Sequence, residues 1–268
     1  MAGNDSYTVS LLHMNGADAS VVFTDEALGG THTWTTYGNA QIDTAQSKFG
    51  EASGLFDGAG DYIDTPDSTD WTMGNGDFTV DSWFRPASLT SNVCLIGQSD
   101  SAASGTTVSF YIYQTASTVL GKVFYGGTGI TASSATVLEI NTWNHVALVR
   151  NGANLTIYLN GVAGGTIGNI GTETINDSAN KLAVGRIGEN NGYYFNGWID
   201  ELRISKGIAR WTANFTPETG EYGPEGQPTK KRFGGVPFVT PNRGVWHRPP
   251  KLVTPTMREI LKYNIGVW

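Results

Sequence analysis

The chain is poor in cysteine, in cationic charge and in long apolar runs. Its single cysteine, Cys94, excludes an internal disulfide framework, and the run Val93-Cys94-Leu95-Ile96 reads as a strand that buries the thiol as a structural group. Lys and Arg number 17 against 24 Asp and Glu, and the resulting charge of −7 disfavours nucleic acid as a partner. No window approaches the roughly 20 apolar residues that a membrane-spanning helix needs. The opening MAGNDSYTVSLLHMNG lacks a basic segment followed by an apolar stretch, so no signal peptide is expected. The sequons at Asn4, Asn154, Asn176 and Asn214 are then read as accidents of an Asn- and Thr-rich sequence.

Proline is scarce as well, except at one end. Seven of the ten prolines lie beyond Gly223, and the charge divides at the same place. Residues 1–222 carry 9 Lys+Arg against 22 Asp+Glu, a balance of −13, whereas residues 223–268 carry 8 against 2, a balance of +6. The chain reads as an acidic body, 1–222, followed by a basic, proline-rich tail, 223–268.

The body holds most of the 35 glycines and an abundance of Trp, Tyr and Phe, which suits short strands joined by tight turns. Trp143 to Arg150 is a strand-length run, Asn151-Gly152 a turn, Leu155 to Leu159 the return strand and Asn160-Gly161 the next turn, a β-meander. Phe78, Val80 and Trp83-Phe84 form a strand ending at Arg85-Pro86, because proline has no N–H for the ladder. Val108 to Tyr113 and Lys122 to Tyr125 read as two more strands, and Lys181 to Ile187 with Trp198 to Ile204 as a closing pair. Short strands without a helical period between them predict an all-β, two-sheet antiparallel sandwich.

The tail lacks alternation yet keeps Phe233, Phe238, Trp246, Leu252, Tyr263 and Trp268, which are costly to leave in water. Val239-Thr240-Pro241 before Gly244-Val245-Trp246 is repeated as Val253-Thr254-Pro255 before Gly266-Val267-Trp268. The insertion in the second copy, Thr256 to Asn264, suits a short helix capped by Thr254 with Pro255 at its first position. Aromatic anchors on a proline-stiffened basic segment, with Arg243 among them, predict docking onto a neighbouring subunit or a larger assembly. Folding back onto the sandwich and simple disorder are the alternatives.

Four ordered phrases carry a family resemblance: FDGAGDYIDTPDSTDW (Phe56 to Trp71), GDFTVDSWFRP (Gly76 to Pro86), NTWNHVALVRNGANLTIYLNG (Asn141 to Gly161) and FNGWIDELRISKGIARWTANFTPE (Phe195 to Glu218). Together they resemble the laminin-G-like jelly roll of the concanavalin A-like lectin and glucanase superfamily, in the form common in bacteriophage structural proteins. The resemblance implies a jelly-roll sandwich over roughly residues 6 to 220. It also implies three kinds of site, each with a plainer reading beside it. Glycosidases of the superfamily use paired carboxylates, commonly Glu-x-Asp-x-Glu on one strand, and that motif is absent here. His145 lies in a strand and reads as structural, and His13, His32 and His247 have no adjoining nucleophile. A structural Ca²⁺ where the first strand meets the last would draw on Asp200, Asn15 and Asp57. The plainer reading is that these groups bond turn amides. Glycan stacking would fall to Trp34, Tyr37, Trp71, Tyr193 or Tyr194, each of which also reads as a core or rim aromatic.

The resemblance, taken with the split charge and the unpaired cysteine, implies a non-enzymatic virion structural protein, a head decoration, fibre or tail appendage that faces outward and attaches through its tail; composition alone would equally allow a bacterial surface module. Its partners would be other virion proteins and further copies of itself, with a host surface glycan as a second class of partner. It would be made in the host cytoplasm and displayed on the virion surface. A carbohydrate-binding lectin is the alternative, and a polysaccharide hydrolase or lyase a third.

Overall fold

The computed structural model describes residues 3–89, 92–99, 105–165, 167–187 and 193–224. The tail anchors Phe233, Phe238, Arg243, Trp246, Leu252, Tyr263 and Trp268, and the helix expected over 256–264, lie outside the described residues.

Two antiparallel sheets face each other. The first, of nine strands, runs in the order β13 (Val162–Ala163), β12 (Asn154–Leu159), β11 (Asn144–Asn151), β6 (Phe78–Pro86), β16 (Asn196–Lys206), β4 (Ser53–Asp57) and β3 (Gln41–Asp43). Two further strands join this sheet: β1 (Thr8–Leu12) pairs with β16, and β14 (Gly168–Asn169) with β12. The second, of seven strands, runs β10 (Thr128–Ser133), β9 (Val119–Tyr125), β8 (Phe110–Gln114), β7 (Val93–Gln98), β15 (Leu182–Val184), β5 (Tyr62–Thr65) and β2 (Thr35–Tyr37). Helix is confined to a single 3-10 turn, Thr69–Trp71, among the described residues.

The meander forms as expected, β11 pairing with β12 from Val146↔Leu159 to Asn151↔Asn154. Gly152 (φ 57°) and Asn160-Gly161 (φ 53° and 79°) supply the left-handed residues at its two turns. The expected closing pair is corrected by the structure. The run 181–187 yields β15 in the seven-stranded sheet, while Trp198 to Ile204 lies in β16 of the other. Both runs alternate well, but alternation does not say which sheet a strand joins.

β16 is the spine of the larger sheet. Its first half pairs with β4 from Asn196↔Asp57 to Ile199↔Gly54, and its second half with β1 from Leu202↔Leu12 to Ser205↔Thr8. β6 runs along its other side with a register shift between Asp200 and Arg203, where Glu201 takes φ 49°. An extra residue in a ladder turns successive side chains off their alternating faces. Every residue from Ile199 to Ser205 is nevertheless buried, because the core covers one face of β16 and the segment carrying Trp211 and Tyr222 covers the other.

The core between the sheets is aromatic and aliphatic, with Phe56, Phe78, Phe84, Phe110 and Phe195 fully buried beside Leu12, Ile42, Ile63, Leu148 and Ile157. Alternation then leaves every second residue of the seven-stranded sheet pointing away from that core.

Candidate functional site

In β5, Ile63 enters the core and its neighbours Tyr62 and Asp64 face outward. In β8, Phe110 and Ile112 point in, so Tyr111 and Tyr113 point out; in β9, Val123 points in and Lys122 and Phe124 point out. The ladder aligns these outward positions into rows. One row reads Thr35, Asp64, Ala183, Gly97, Tyr111, Lys122 across β2, β5, β15, β7, β8 and β9. Its middle is floored by the small residues Ala183 and Gly97, so it forms a trough between two groups of tyrosines. A Cβ on Gly97 would come within 2.7 Å of the Tyr111 Cβ, so the absent side chain is what lets Tyr111 settle there.

On one side, Tyr37 stacks on Tyr62 with ring centres 4.3 Å apart and planes 10° from parallel, and Tyr194 lies 6.4 Å from Tyr62. The Arg186 guanidinium covers the Tyr62 ring at 3.6 Å. Lys181 Nζ donates to both oxygens of Asp64 at 3.2 Å and to the Tyr37 hydroxyl at 3.3 Å. The Lys181 side chain is 42% exposed while that of Asp64 is 2% exposed. Burial favours the neutral phenol of Tyr62 and raises its pKa, against the lowering effect of Arg186.

On the other side, Tyr111 and Tyr113 meet edge to face at 5.3 Å, and Tyr111 lies 5.7 Å from Phe124. A cavity of about 200 Å³ opens here, lined by Asn92, Cys94, Tyr111, Tyr113, Ile187 and Tyr193. Cys94 is fully buried at its base, its Sγ 3.4 Å from the Ile112 carbonyl, and burial raises its pKa far above the thiol range. It is an inert structural thiol.

Of the aromatics expected to meet a glycan, Tyr37, Tyr193 and Tyr194 flank this trough. Trp34 and Trp71 do not. Trp71 has no exposed surface, Trp34 only 7%, and both pack in the main core. Trp71 is drawn inward by the 3-10 turn that Ser68 caps through the Asp70 amide, and its Nε1 donates to the Pro66 carbonyl at 3.1 Å. Sequence reasoning missed Tyr62, Tyr111, Tyr113, Lys181 and Arg186. The signal was present in the Tyr-x-Asp of β5 and the Tyr-x-Tyr of β8, which alternate with core residues.

Of the three residues expected to share Ca²⁺, Asp57 is set apart from Asp200, and Asp200 and Asn15 each bond to other groups. Asp200 is buried and accepts the Lys48 and Phe49 amides at 2.7 and 3.0 Å through one oxygen, leaving Oδ1 without a hydrogen bond. Burial and the adjacent Glu201 push its pKa well up. Asp57 pairs with Asn196, four residues before Asp200 along β16 and roughly 13 Å away at strand rise, and its carboxylate caps the Ala59 amide at 2.7 Å. Asn15 is exposed and donates to Glu221 at 2.7 Å. Ca²⁺ needs six to eight oxygens converging on one point. Among the described residues no group of three or more His, Cys, Asp or Glu is placed to hold a metal ion. These side chains do not fit a shared Ca²⁺ site.

The other buried charges lie on the outer face of the nine-stranded sheet, beneath Trp211, Phe215 and Tyr222 of the segment that follows β16. Arg203 grips Asp81 through Nε and Nη2 at 3.0 and 3.1 Å, and Tyr222 donates its hydroxyl to Asp81 at 2.6 Å. His145 lies 3.5 Å from Asp81 and 3.2 Å from the Tyr222 hydroxyl, sealed by Trp83, Trp211 and Phe215. Burial would raise the Asp81 pKa, but the Arg203 charge and then His145 outweigh it and hold it at about 2. His145 is therefore a packed structural histidine, fully buried as its strand position predicts.

Residues 57–210, more than half of the chain, match the family model described as the concanavalin A-like lectin/glucanases superfamily. No curated protein matches the sequence. Among solved structures, the binding domain of botulinum neurotoxin serotype D/C superposes with TM-score 0.56 at 15% identity, covering 75% of this chain and 49% of that one. The binding domain of Paraclostridial Mosquitocidal Protein 1 gives 0.56, 15%, 75% and 49% in the same terms. Domain 4 of AbnA, an extracellular arabinanase from Geobacillus stearothermophilus solved with arabinotriose, gives 0.50 at 19% identity and covers 75% of this chain and 93% of that one. The chain spans about half the length of the two toxin domains. These likenesses establish the fold.

Proposed function

Because the chain belongs to the concanavalin A-like lectin/glucanases superfamily, we propose that it is a non-enzymatic carbohydrate-binding module whose ligand lies on the outer face of its seven-stranded sheet. The observation that carries this reading is the trough floored by Ala183 and Gly97 between Tyr37, Tyr62 and Tyr194 on one side and Tyr111, Tyr113 and Tyr193 on the other. Aromatic faces suit the apolar faces of sugar rings, and Lys181 and the tyrosine hydroxyls suit their hydroxyls. Glycoside hydrolysis needs two carboxyls flanking the scissile bond. Here Asp81, Asp200 and Glu201 are buried side chains of the nine-stranded sheet, covered by the segments that bond to them, and Asp64 is held by Lys181 and Arg186.

The test is a glycan array with the full chain, followed by calorimetry on the best ligand. Tyr62→Ala, which removes the central stacking ring, is expected to weaken binding by about tenfold or more, as loss of an aromatic anchor does. Absence of any glycan ligand, or unchanged affinity in that variant, would overturn the reading.

A second observation, the division of charge between −13 in residues 1–222 and +6 in residues 223–268, favours display of this module on a larger body. We propose that this body is a bacteriophage particle, to which the module attaches as a decoration, fibre or tail appendage. In that arrangement the basic segment with its aromatic anchors would bind an acidic particle surface, while the acidic jelly rolls would repel one another and face outward. Removal of residues 225–268 tests this.

A further inference from the structure

Residues 1–222 hold only nine Lys and Arg among 22 acidic residues, so where those cations sit is informative. Six are spent elsewhere. Arg203 and Arg210 are paired with Asp81 and Asp5, and Arg150 donates to the carbonyls of Gly74, Gly152, Gly171 and Glu173. Lys48 lies over the Trp83 ring, Arg85 over Trp198, and Lys206 donates to the Thr69 carbonyl. The remaining three, Lys122, Lys181 and Arg186, all belong to the tyrosine face.

At one end of the trough, one carboxylate meets two cations. Asp64 lies 3.2 Å from Lys181 Nζ and 3.7 Å from Arg186 Nη2. Asp64 is nearly fully buried, whereas the Lys181 side chain is 42% exposed, so the ammonium is the group this cluster presents to solvent. Its hydrogen bonds to Asp64 and the Tyr37 hydroxyl fix where it points. At the other end, Lys122 stands beside Tyr111 in the ladder, with Nζ 4.7 Å from the Phe124 ring centre. The strand spacing puts Asp64 and Lys122, four strands apart, at roughly 19 Å. That span accommodates several sugar rings laid across the strands.

We infer that the ligand of this face is an extended anionic polysaccharide, its rings resting on the tyrosines and its acidic groups meeting Lys181 at one end and Lys122 at the other. This rests on the carbohydrate-binding reading and narrows it to acidic chains. A fixed, partly exposed ammonium beside an aromatic ring gives an acidic sugar a charge-assisted hydrogen bond that a neutral sugar cannot make. On a body of charge −13, a polyanion would otherwise be repelled, so the local cations decide whether it can approach at all.

The experiment uses the full chain and three soluble polymers: a polyuronate, the same polymer with its carboxyls reduced to alcohols, and a sulfated polysaccharide. Binding is followed by calorimetry at low and at high salt. The expected result is binding to the polyuronate, weakened by salt, with at least tenfold weaker binding to the reduced polymer. The sulfated chain distinguishes the source of the charge: binding comparable to the polyuronate assigns recognition to charge, and weaker binding assigns it to the carboxylate. Lys181→Met and Lys122→Met keep the apolar stem and are each expected to cost about tenfold. Lys206→Met, on the other sheet, is expected to bind as the unaltered chain does. Equal binding to the polyuronate and its reduced form would overturn the anionic inference and leave the carbohydrate reading standing. Failure to bind all three polymers, together with a blank glycan array, would overturn both.

Discussion

Asp81 shows what individual residues contribute beneath the segment that covers the nine-stranded sheet. A fully buried carboxylate is tolerated because Arg203, Tyr222 and His145 surround it, and breaking such a group by removing one partner typically costs about 3–5 kcal/mol. The pKa of Asp81 falls from 3.8 to about 2 on folding, so its contribution is present above 3.8 and is lost as the pH falls through about 2. A shift of that size corresponds to about 2 kcal/mol. Urea unfolding between pH 5 and pH 2 is expected to show this loss, and Asp81→Asn, though less stable throughout, is expected to lack that component. Asp200 makes a different prediction. Its bonds to the Lys48 and Phe49 amides tie the 48–49 segment to β16, so Asp200→Ala leaves those amides without their acceptor and should cost about 1–3 kcal/mol. The fall in melting temperature is expected to be the same in Ca²⁺ and in chelator. A loss seen only with Ca²⁺ would restore the metal reading.

At the scale of elements, the segment after β16 behaves as a strap. Tyr222 is 2% exposed, its amide donates to Glu201 at 2.8 Å, its hydroxyl reaches Asp81, and its ring lies 3.7 Å from the Arg203 guanidinium. Glu201 holds His13 of the opposite end of the chain at 2.6 Å, and the Asn4 amide donates to the Gly223 carbonyl at 2.8 Å. The strap therefore joins the first and last described segments. A protein ending at Pro224 should fold as the full chain does. One ending at Thr216 should lose about 3 kcal/mol or more, because Asp81 and Arg203 stay buried with fewer partners. Equal urea midpoints for the two truncations would show that the strap is dispensable. The strap was partly legible in the sequence: Tyr222 stood at the end of the expected body, but nothing local connects it to Asp81, 141 residues earlier.

At the scale of the whole molecule, the charge division gives the remaining prediction. The protein lacking residues 225–268 is expected to stay folded, to bind the same glycans, and to lose incorporation into particles. Light scattering on both forms checks whether those residues also set the oligomeric state. Undiminished incorporation would remove the anchoring proposal while leaving the glycan site untouched.

The sequence by itself determined the fold class, the β11–β12 meander and the burial of Cys94 and His145. Each of these follows from alternation and turn residues a few positions apart. It also carried the acidic body and basic tail, since charge is a sum over residues. Only the tertiary structure decided which strands share a sheet, and so separated β15 from β16. It likewise sent Trp34 and Trp71 into the core and left Tyr37 and Tyr194 beside a trough, although all four are aromatics in loop-rich stretches. The physical reason is that a site built across a sheet draws its residues from strands distant in sequence. Asp64, Ala183, Gly97 and Tyr111 become neighbours through ladder register, which no local pattern encodes.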